Sequence, residues 1–437
     1  MVTPKRILIA TIGSLGDLHP CIALAQELGR RGHRVTIAST GYYRTKVEEL
    51  GIEFHSIRPN WDPTDQDLIR QCGDLKRGLE VLYRKLILPE LRGTYDDLIS
   101  VAATADLMIA SELVYAAPLV AEKLSLRWVS EILSPHSFFS SHDPSVLANL
   151  PGLIHLRKAG WRTYRAGLNL GRLATRHWSD PVRHLRRELG LRTDCDPVFR
   201  DKYSPDLVLA LFSRWLAQPQ PDWPPQTLQP GFVYFDRQKA EDAPSPELTA
   251  FLAAGDAPIV FTQGSTAVHN AGDFYEVSAE AASRLGRRAV LLGAGTVSQA
   301  HGTDVLVLPY APYSEIFPHA VVNVHQGGSG TTGQALRAGK PMLVVPYGWD
   351  QPDNAARIER LGTGLHVSRN AYSLNTATSA LQRLLSESHF ANRAREIGRQ
   401  MQDEDGLALA CDAIESTLAK PTEMTGEDRS LVVNLVK

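Results

Sequence analysis

The chain has 437 residues, 43% of them apolar and 22% charged, with a formal net charge of −2 at pH 7. That length and apolar content suffice for two ordinary domains with substantial cores, and the near-balanced charge, with no long single-sign run, excludes a nucleic-acid binder working through bulk electrostatics. No stretch reaches the roughly 18 apolar residues of a membrane span, and the scattered Cys21, Cys72, Cys195 and Cys411 form no CxxC pair, so neither a disulfide framework nor a zinc site is expected.

The N-terminus passes through two basic residues straight into Ile7-Leu8-Ile9, too short a lead for a secretory h-region. A soluble cytoplasmic protein with reduced thiols is expected. Residues 7–10 then read as a first strand. Residues 21–31 read as a helix burying Ile22, Leu24, Ala25 and Leu28, with Gly32 as its C′ stop, and residues 34–38 as a second strand. Further strands are predicted at 106–110, 127–132 and 207–211.

The stretch AQPQPDWPPQTLQPGF at 217–232 follows, whose prolines forbid regular helix and deny a central strand its donors. It reads as a linker, with the domain boundary near residue 230. Beyond it, strands are predicted at 259–262, 289–292, 305–308, 320–324 and 342–345. RILIATIGSLGDLHP near the start and PIVFTQGSTAVHN from Pro258 both run an apolar strand into a Gly-Ser turn. This repeated plan predicts an α/β chain of two Rossmann-like halves with parallel sheets: residues 1–216, a linker at 217–240, residues 241–400, a helix within 401–420, and a tail at 421–437.

The most informative stretch begins at His325. Strand 320–324 meets a helix starting near Thr331 through Gln326-Gly327-Gly328-Ser329-Gly330. A glycine-rich strand-to-helix turn gathers backbone N–H groups at the positive helix end, and glycine lets a phosphate approach closely. The run HQGGSGTTGQALRAGKPMLVVPYGWDQPDN, residues 325–354, closely resembles the donor-sugar signature of family 1 glycosyltransferases, the UDP-glycosyltransferase-like enzymes of the GT-B fold, and in particular their bacterial antibiotic-glycosylating and sterol-glycosylating members.

The resemblance implies two Rossmann-like domains facing across a cleft, the first binding the acceptor and the second the nucleotide sugar, with the helix near 407–418 packing back on the first. It implies that His325 hydrogen-bonds the diphosphate, that Gly327, Gly328, Ser329, Gly330, Thr331 and Thr332 cradle it, and that Gly264-Ser265-Thr266 meets it from the other side. Tyr310 stands where plant members stack an aromatic on the base, with Ala311 offering backbone bonds, a simple core aromatic being the alternative for Tyr310. Asp350-Gln351 matches the pair that reads sugar hydroxyls, and Trp349 either walls the sugar pocket or has a plain packing role. Plant members carry a ribose-binding Glu eight residues after the histidine. Here that position is Gly333, with Gln334 next as a substitute. UDP-glucose is the expected co-substrate, and a dTDP-sugar the alternative.

Inverting transfer needs a base beside the acceptor hydroxyl. In GSLGDLHP, Asp17 lies where plant members have the catalytic histidine and glycopeptide-antibiotic glycosyltransferases an aspartate; partial burial would raise its pKa. His19 is the rival base, and N-capping of the following helix is the structural alternative for Asp17. Gly16, Glu112, His136, Phe138 and Phe139 are candidate acceptor contacts, the two phenylalanines being equally readable as core. Residues 147–178, with Leu, Trp and Tyr among arginines, read as amphipathic helices that could cover the cleft.

No metal or cofactor is expected, because His325, the loop amides and the helix end oppose the leaving charge. Asp194-Cys195-Asp196 and Asp403-Glu404-Asp405 match the Asp-x-Asp string of metal-dependent transferases by chance. The expected partners are a small lipophilic acceptor (flavonoid, polyketide or steroid) and a nucleotide sugar; the oligomeric state is not legible. A dehydrogenase is disfavoured, because the first turn lacks Gly-x-Gly-x-x-Gly. A non-catalytic nucleotide-sugar-binding protein is the other class to separate.

Overall fold

The computed structural model describes residues 3–62, 64–74, 77–148, 150–235, 245–264, 268–295 and 304–420. β1 (Arg6–Ala10), β2 (Arg34–Ser39), β3 (Glu53–Ser56), β4 (Leu107–Ser111), β5 (Trp128–Ile132), β6 (Leu207–Ala210) and β7 (Thr227–Leu228) form one sheet in the order β3-β2-β1-β4-β5-β6-β7. β8 (Ile259–Thr262), β9 (Ala289–Leu292), β10 (Val305–Leu308), β11 (Val322–His325), β12 (Met342–Val344) and β13 (Gly364–His366) form the other, in the order β10-β9-β8-β11-β12-β13. Every pairing is parallel; Ile7 stands beside both Val35 and Leu107, and Val324 beside both Phe261 and Leu343. Helices cover both faces, which is why the central strands are continuous runs of Ile, Leu and Val rather than alternating ones.

Strand order reverses between β1 and β4 and again between β8 and β11. A parallel sheet opens a crevice at such a switch point, beyond the carboxyl ends of its strands. The chain segments lying there are the turn after Ala10 and the turn that starts at His325. The fold therefore brings the two sequence motifs to matching places in the two halves.

Several elements differ from expectation. The first helix spans Leu15–Arg30, six residues earlier than predicted, and carries Pro20 inside it. Proline was expected to open the helix. Instead Ser14 caps it, and one missing N–H near the amino end is tolerated. Gly32 follows the helix with a φ of +95°, a left-handed conformation that glycine adopts without strain. β3, β7 and β13 were not anticipated, being short, and only β3 and β13 lie outside the proline-rich stretch. That stretch is packed: Trp223 is buried, and Thr227–Leu228 forms a sheet edge, a position where proline neighbours cost no ladder bonds.

The last described helix, Gly406–Ala419, returns to the first domain. Ala410, Cys411 and Ile414 are buried in the same cluster as Ile22, Leu24 and Leu28. Arg31 of the first helix donates to Asp412 at 2.5 Å and Glu415 at 2.7 Å, and the His33 ring nitrogen Nε2 lies 3.0 Å from Glu415. A second seam joins the domains through Arg357, which is 2% exposed. It pairs with Asp353 at 2.7 Å and with Asp143 of the first domain, while the backbone N–H of Val146 donates to Asp353 at 2.9 Å.

Candidate active site

The acceptor side starts at the capped turn after β1. Ser14, in extended conformation, accepts from the backbone N–H of Gly16 at 3.1 Å, and Asp17 answers by accepting from the backbone N–H of Ser14 at 2.7 Å and its hydroxyl at 3.1 Å. This reciprocal capping box makes Ser14 the N-cap and places Asp17 at the third helical position. Asp17 is not the N-cap itself. Gly13 has a φ of +148°, and a Cβ there would sit 2.3 Å from Asp17 Oδ2, so the carboxylate lies directly against the turn.

Burial pushes the Asp17 carboxyl up to about 6, against the downward pull of the Ser14 bonds; the carboxylates of Asp350 and Glu112 add to the rise. His19 goes the other way. Burial, with help from Lys46, lowers it to about 3, its Nε2 is enclosed without a partner, and its ring tilts against Phe235 at 5.3 Å. Beneath them, Glu131 on β5 is 1% exposed, accepts from the Cys21 thiol at 3.2 Å and is raised by burial to about 8.

Glu112 accepts from the Ser137 hydroxyl at 2.6 Å and from Lys202 at 2.7 Å. Its carboxyl is held below its usual range: Lys202 and His136 outweigh the opposing and larger single effect of burial. His136 also interacts electrostatically with Asp350, and its Nδ1 is buried without a partner. Of the two readings of Phe138, acceptor contact or core, its surroundings match the core one. It is a core aromatic, 6% exposed and stacked on Trp223 at 4.1 Å. Phe139, in a left-handed conformation at φ +49°, lies against Phe199 at 4.7 Å with the Lys202 ammonium 5.0 Å from its ring centre.

On the donor side His325 ends β11 fully buried. Its Nδ1 accepts the Gly327 N–H at 3.0 Å, so the ring proton sits on Nε2, which is enclosed and unpartnered. Burial lowers its pKa to about 3, and the ring is therefore a neutral donor. Gly327 has a φ of +91° and leaves only 2.7 Å between a would-be Cβ and Val344. The helix Ser329–Arg337 starts after Gly328, which as N-cap residue supplies no side-chain acceptor to its first N–H groups. Gln326 Oε1 and Thr332 Oγ1 are also buried without partners.

Asp350 accepts from Ser329 Oγ at 2.8 Å and Asn354 Nδ2 at 2.8 Å, and burial raises its carboxyl. Gln351 spends its carbonyl oxygen on the backbone N–H groups of Tyr347 at 2.8 Å and Gly348 at 3.2 Å. Its NH₂ is what it can offer a ligand. Trp349, at φ +55°, reaches over to the first domain's core cluster. Tyr310 is 57% exposed, whereas Ala311 is buried. Gln334 is 7% exposed. Gly264 at φ +64° abuts Gln326, and Ser265 and Thr266 lie outside the described residues.

Sequence reasoning missed Glu131, Lys202, Asn354 and Arg357. Asn354 lay inside the motif, at the spacing of one helical turn from Asp350. Glu131 and Lys202 carry no local signal, because each gains meaning only from a partner far along the chain, and Arg357 shows locally only its i,i+4 pairing with Asp353, not its bond to Asp143.

Residues 7–136 match the glycosyltransferase family 28 N-terminal domain, and residues 293–407 match the Erythromycin biosynthesis protein CIII-like, C-terminal domain. The chain is 31% identical over 426 residues to O-mycaminosyltylonolide 6-deoxyallosyltransferase of Streptomyces fradiae, covering 94% of this chain and 97% of that one. It is a family 1-like glycosyltransferase of the GT-B fold. The transferase is also 27% identical to sterol 3-beta-glucosyltransferase of Arabidopsis thaliana, covering 94% of this chain but 65% of that protein. It shares its fold with the glycosyltransferase VinC in complex with dTDP, at a TM-score of 0.65 and 18% identity over 94% of this chain and 99% of that one. Among the described residues of the transferase no helix is long and apolar enough to cross a membrane, and no group of three His, Cys, Asp or Glu is placed to hold a metal ion.

Proposed function

We propose that the transferase moves a hexose, with inversion and without a metal ion, from a nucleoside diphosphate sugar to a hydroxyl of a small lipophilic natural product or sterol. Asp17 takes the proton of the acceptor hydroxyl as that oxygen attacks C1 of the sugar. The bond from C1 to the diphosphate oxygen breaks, and the diphosphate leaves with the electron pair. The His325 Nε2–H, the loop amides and the helix N-terminus meet its charge. The observation that carries this reading is the enclosed, unpartnered Nε2–H of a neutral His325 at an uncapped helix start, opposite a carboxylate poised near pH 6.

The pKa values favour Asp17 over His19 as base, since a ring held near 3 binds a proton poorly at neutral pH. UDP-glucose is the first donor to offer. A dTDP-linked 6-deoxyhexose is the second reading, and one packing detail favours it. The Phe232 ring stands 2.8 Å from where a Cβ on Gly333 would be, which leaves no room for a ribose-binding carboxylate. The relative from Streptomyces fradiae is named for a 6-deoxyallosyl sugar and VinC holds dTDP.

The test is mass-spectrometric product analysis of the wild type and Asp17→Asn, in EDTA, with UDP-glucose and dTDP-glucose against macrolide, phenolic and sterol alcohols. A hexose gain that needs Asp17 and survives EDTA is expected. Activity lost in EDTA and restored by Mn²⁺ would sink the metal-free mechanism; calorimetry showing dTDP but not UDP binding would replace the donor.

A further inference from the structure

Residues 144–179 contain no Asp or Glu but carry Arg157, Lys158, Arg162, Arg165, Arg172 and Arg176. In a chain with a net charge of −2 this is a concentrated positive region. It folds as a 3₁₀ stretch, Pro151–Ala159, followed by the helix Trp161–Thr175, in which Tyr164 is the one buried residue. Tyr164 anchors the helix through its hydroxyl, which donates to the Ser145 carbonyl at 3.2 Å.

The rest of that helix is divided by its period. Ala166, Leu170 and Leu173 recur at i, i+4 and i+7, and so share a face. Leu170 is 68% exposed and Leu173 66%. Arg162, Arg165 and Arg176 fall on the adjoining strip between that apolar face and the buried one, while Arg172, on the same strip, is paired with Asp196 and lies over the Phe199 ring. Leu150, Leu156 and Trp161 add exposed apolar surface on the preceding segment. Leucines bared to water beside a band of cations make an amphipathic element of the interfacial kind, in which the apolar face enters the acyl boundary and the cations meet anionic headgroups.

We propose that this N-domain surface docks the protein peripherally on an anionic lipid bilayer. The charge pattern selects this occupant. A second copy of the chain would bring an equally cationic strip against the first, and like charges facing one another disfavour that pairing. The docking surface stands apart from the transfer chemistry and does not rest on the identity of donor or acceptor.

Co-sedimentation of the full chain with sucrose-loaded vesicles tests it, using phosphatidylcholine alone and phosphatidylcholine with about a third phosphatidylglycerol. The wild type is expected to sediment with the anionic vesicles at low salt, to remain in solution with the neutral ones, and to be released by high salt. Replacing Arg165→Gln or Arg176→Gln should weaken vesicle binding about fivefold each. The double variant Leu170→Ser/Leu173→Ser should abolish it, with thermal unfolding and nucleotide affinity unchanged because both side chains are already in water. Absence of wild-type sedimentation at low salt would overturn the proposal, as would equal sedimentation of the wild type and the double leucine variant. A leucine-dependent dimer in sedimentation velocity, without vesicle binding, would reassign the face to self-association and equally overturn it.

Discussion

Ser14 and Asp17 hold each other: the Ser14 backbone N–H and hydroxyl both donate to one oxygen of Asp17, Oδ2, at 2.7 and 3.1 Å. Among the described residues no partner meets Oδ1. The capping box thus fixes the rotamer of the carboxylate while committing only one of its oxygens, an arrangement suited to a base that must be aimed and still have a lone pair to use.

Asp17→Asn is expected to lower turnover by roughly 10²- to 10⁴-fold with donor affinity intact. The amide keeps an oxygen for the Ser14 bonds, so the helix start survives. In the wild type kcat/KM should fall as pH drops through about 6, where Asp17 takes up its proton. A variant with near-normal turnover would remove Asp17 from the role of base.

The same carboxylate has a stability signature. Its folded pKa of about 6 lies above the ordinary aspartate value of 3.8, so the folded chain holds the proton more tightly. The stabilisation is complete below about 4 and lost as pH rises through about 6. Asp17→Asn should therefore unfold later than the wild type at pH 8, by on the order of 1 kcal/mol, and show no such advantage at pH 4. Denaturant titrations at the two pH values would check this.

His325→Ala should weaken nucleoside diphosphate binding by roughly 10- to 100-fold, the worth of a hydrogen bond to a charged oxygen. The wild-type His325 stays neutral in the folded state down to about 3, whereas the unfolded ring accepts a proton near 6.5. Its contribution therefore destabilises the fold as pH falls from about 6.5 toward 3. The variant should show a flatter stability profile across that window, measurable by thermal unfolding in a pH series.

Arg357→Ala should cost about 3–5 kcal/mol, because it strands the buried Asp353 and leaves Asp143 unpaired. As the guanidinium bridges the two domains, the loss should also appear as a separation of the unfolding transition into two steps. A single transition with unchanged midpoint would show that the seam carries no coupling.

The central strands of both halves were legible because parallel sheets buried on both faces demand uninterrupted apolar runs, and 259–261 and 289–292 are such runs. The glycine-rich turn at His325 was legible because few backbones tolerate that composition for any other reason. The start of the first helix was not. Gly13-Ser14-Leu15-Gly16 has the composition of a turn, and only the reciprocal bonds of Ser14 and Asp17 reveal it as a cap. Phe138 was ambiguous since its stacking partner, Trp223, lies beyond a further strand. Glu131 was invisible for a related reason: a lone acid in a strand reads as a solvent-facing position until the sheet encloses it.

The packing of Gly406–Ala419 against the first helix has a consequence for biosynthesis. Arg31 waits for Asp412, 381 residues later in the chain, and the cluster holding Ile22 and Leu28 is closed by Ile414. The domain translated first is thus the one finished last. As the chain emerges from the ribosome, that apolar patch must stay uncovered while the whole second domain is made. Closing so distant a contact is entropically slow, so a truncation that removes Gly406–Ala419 should act less like trimming an end than like opening a hole in the first domain.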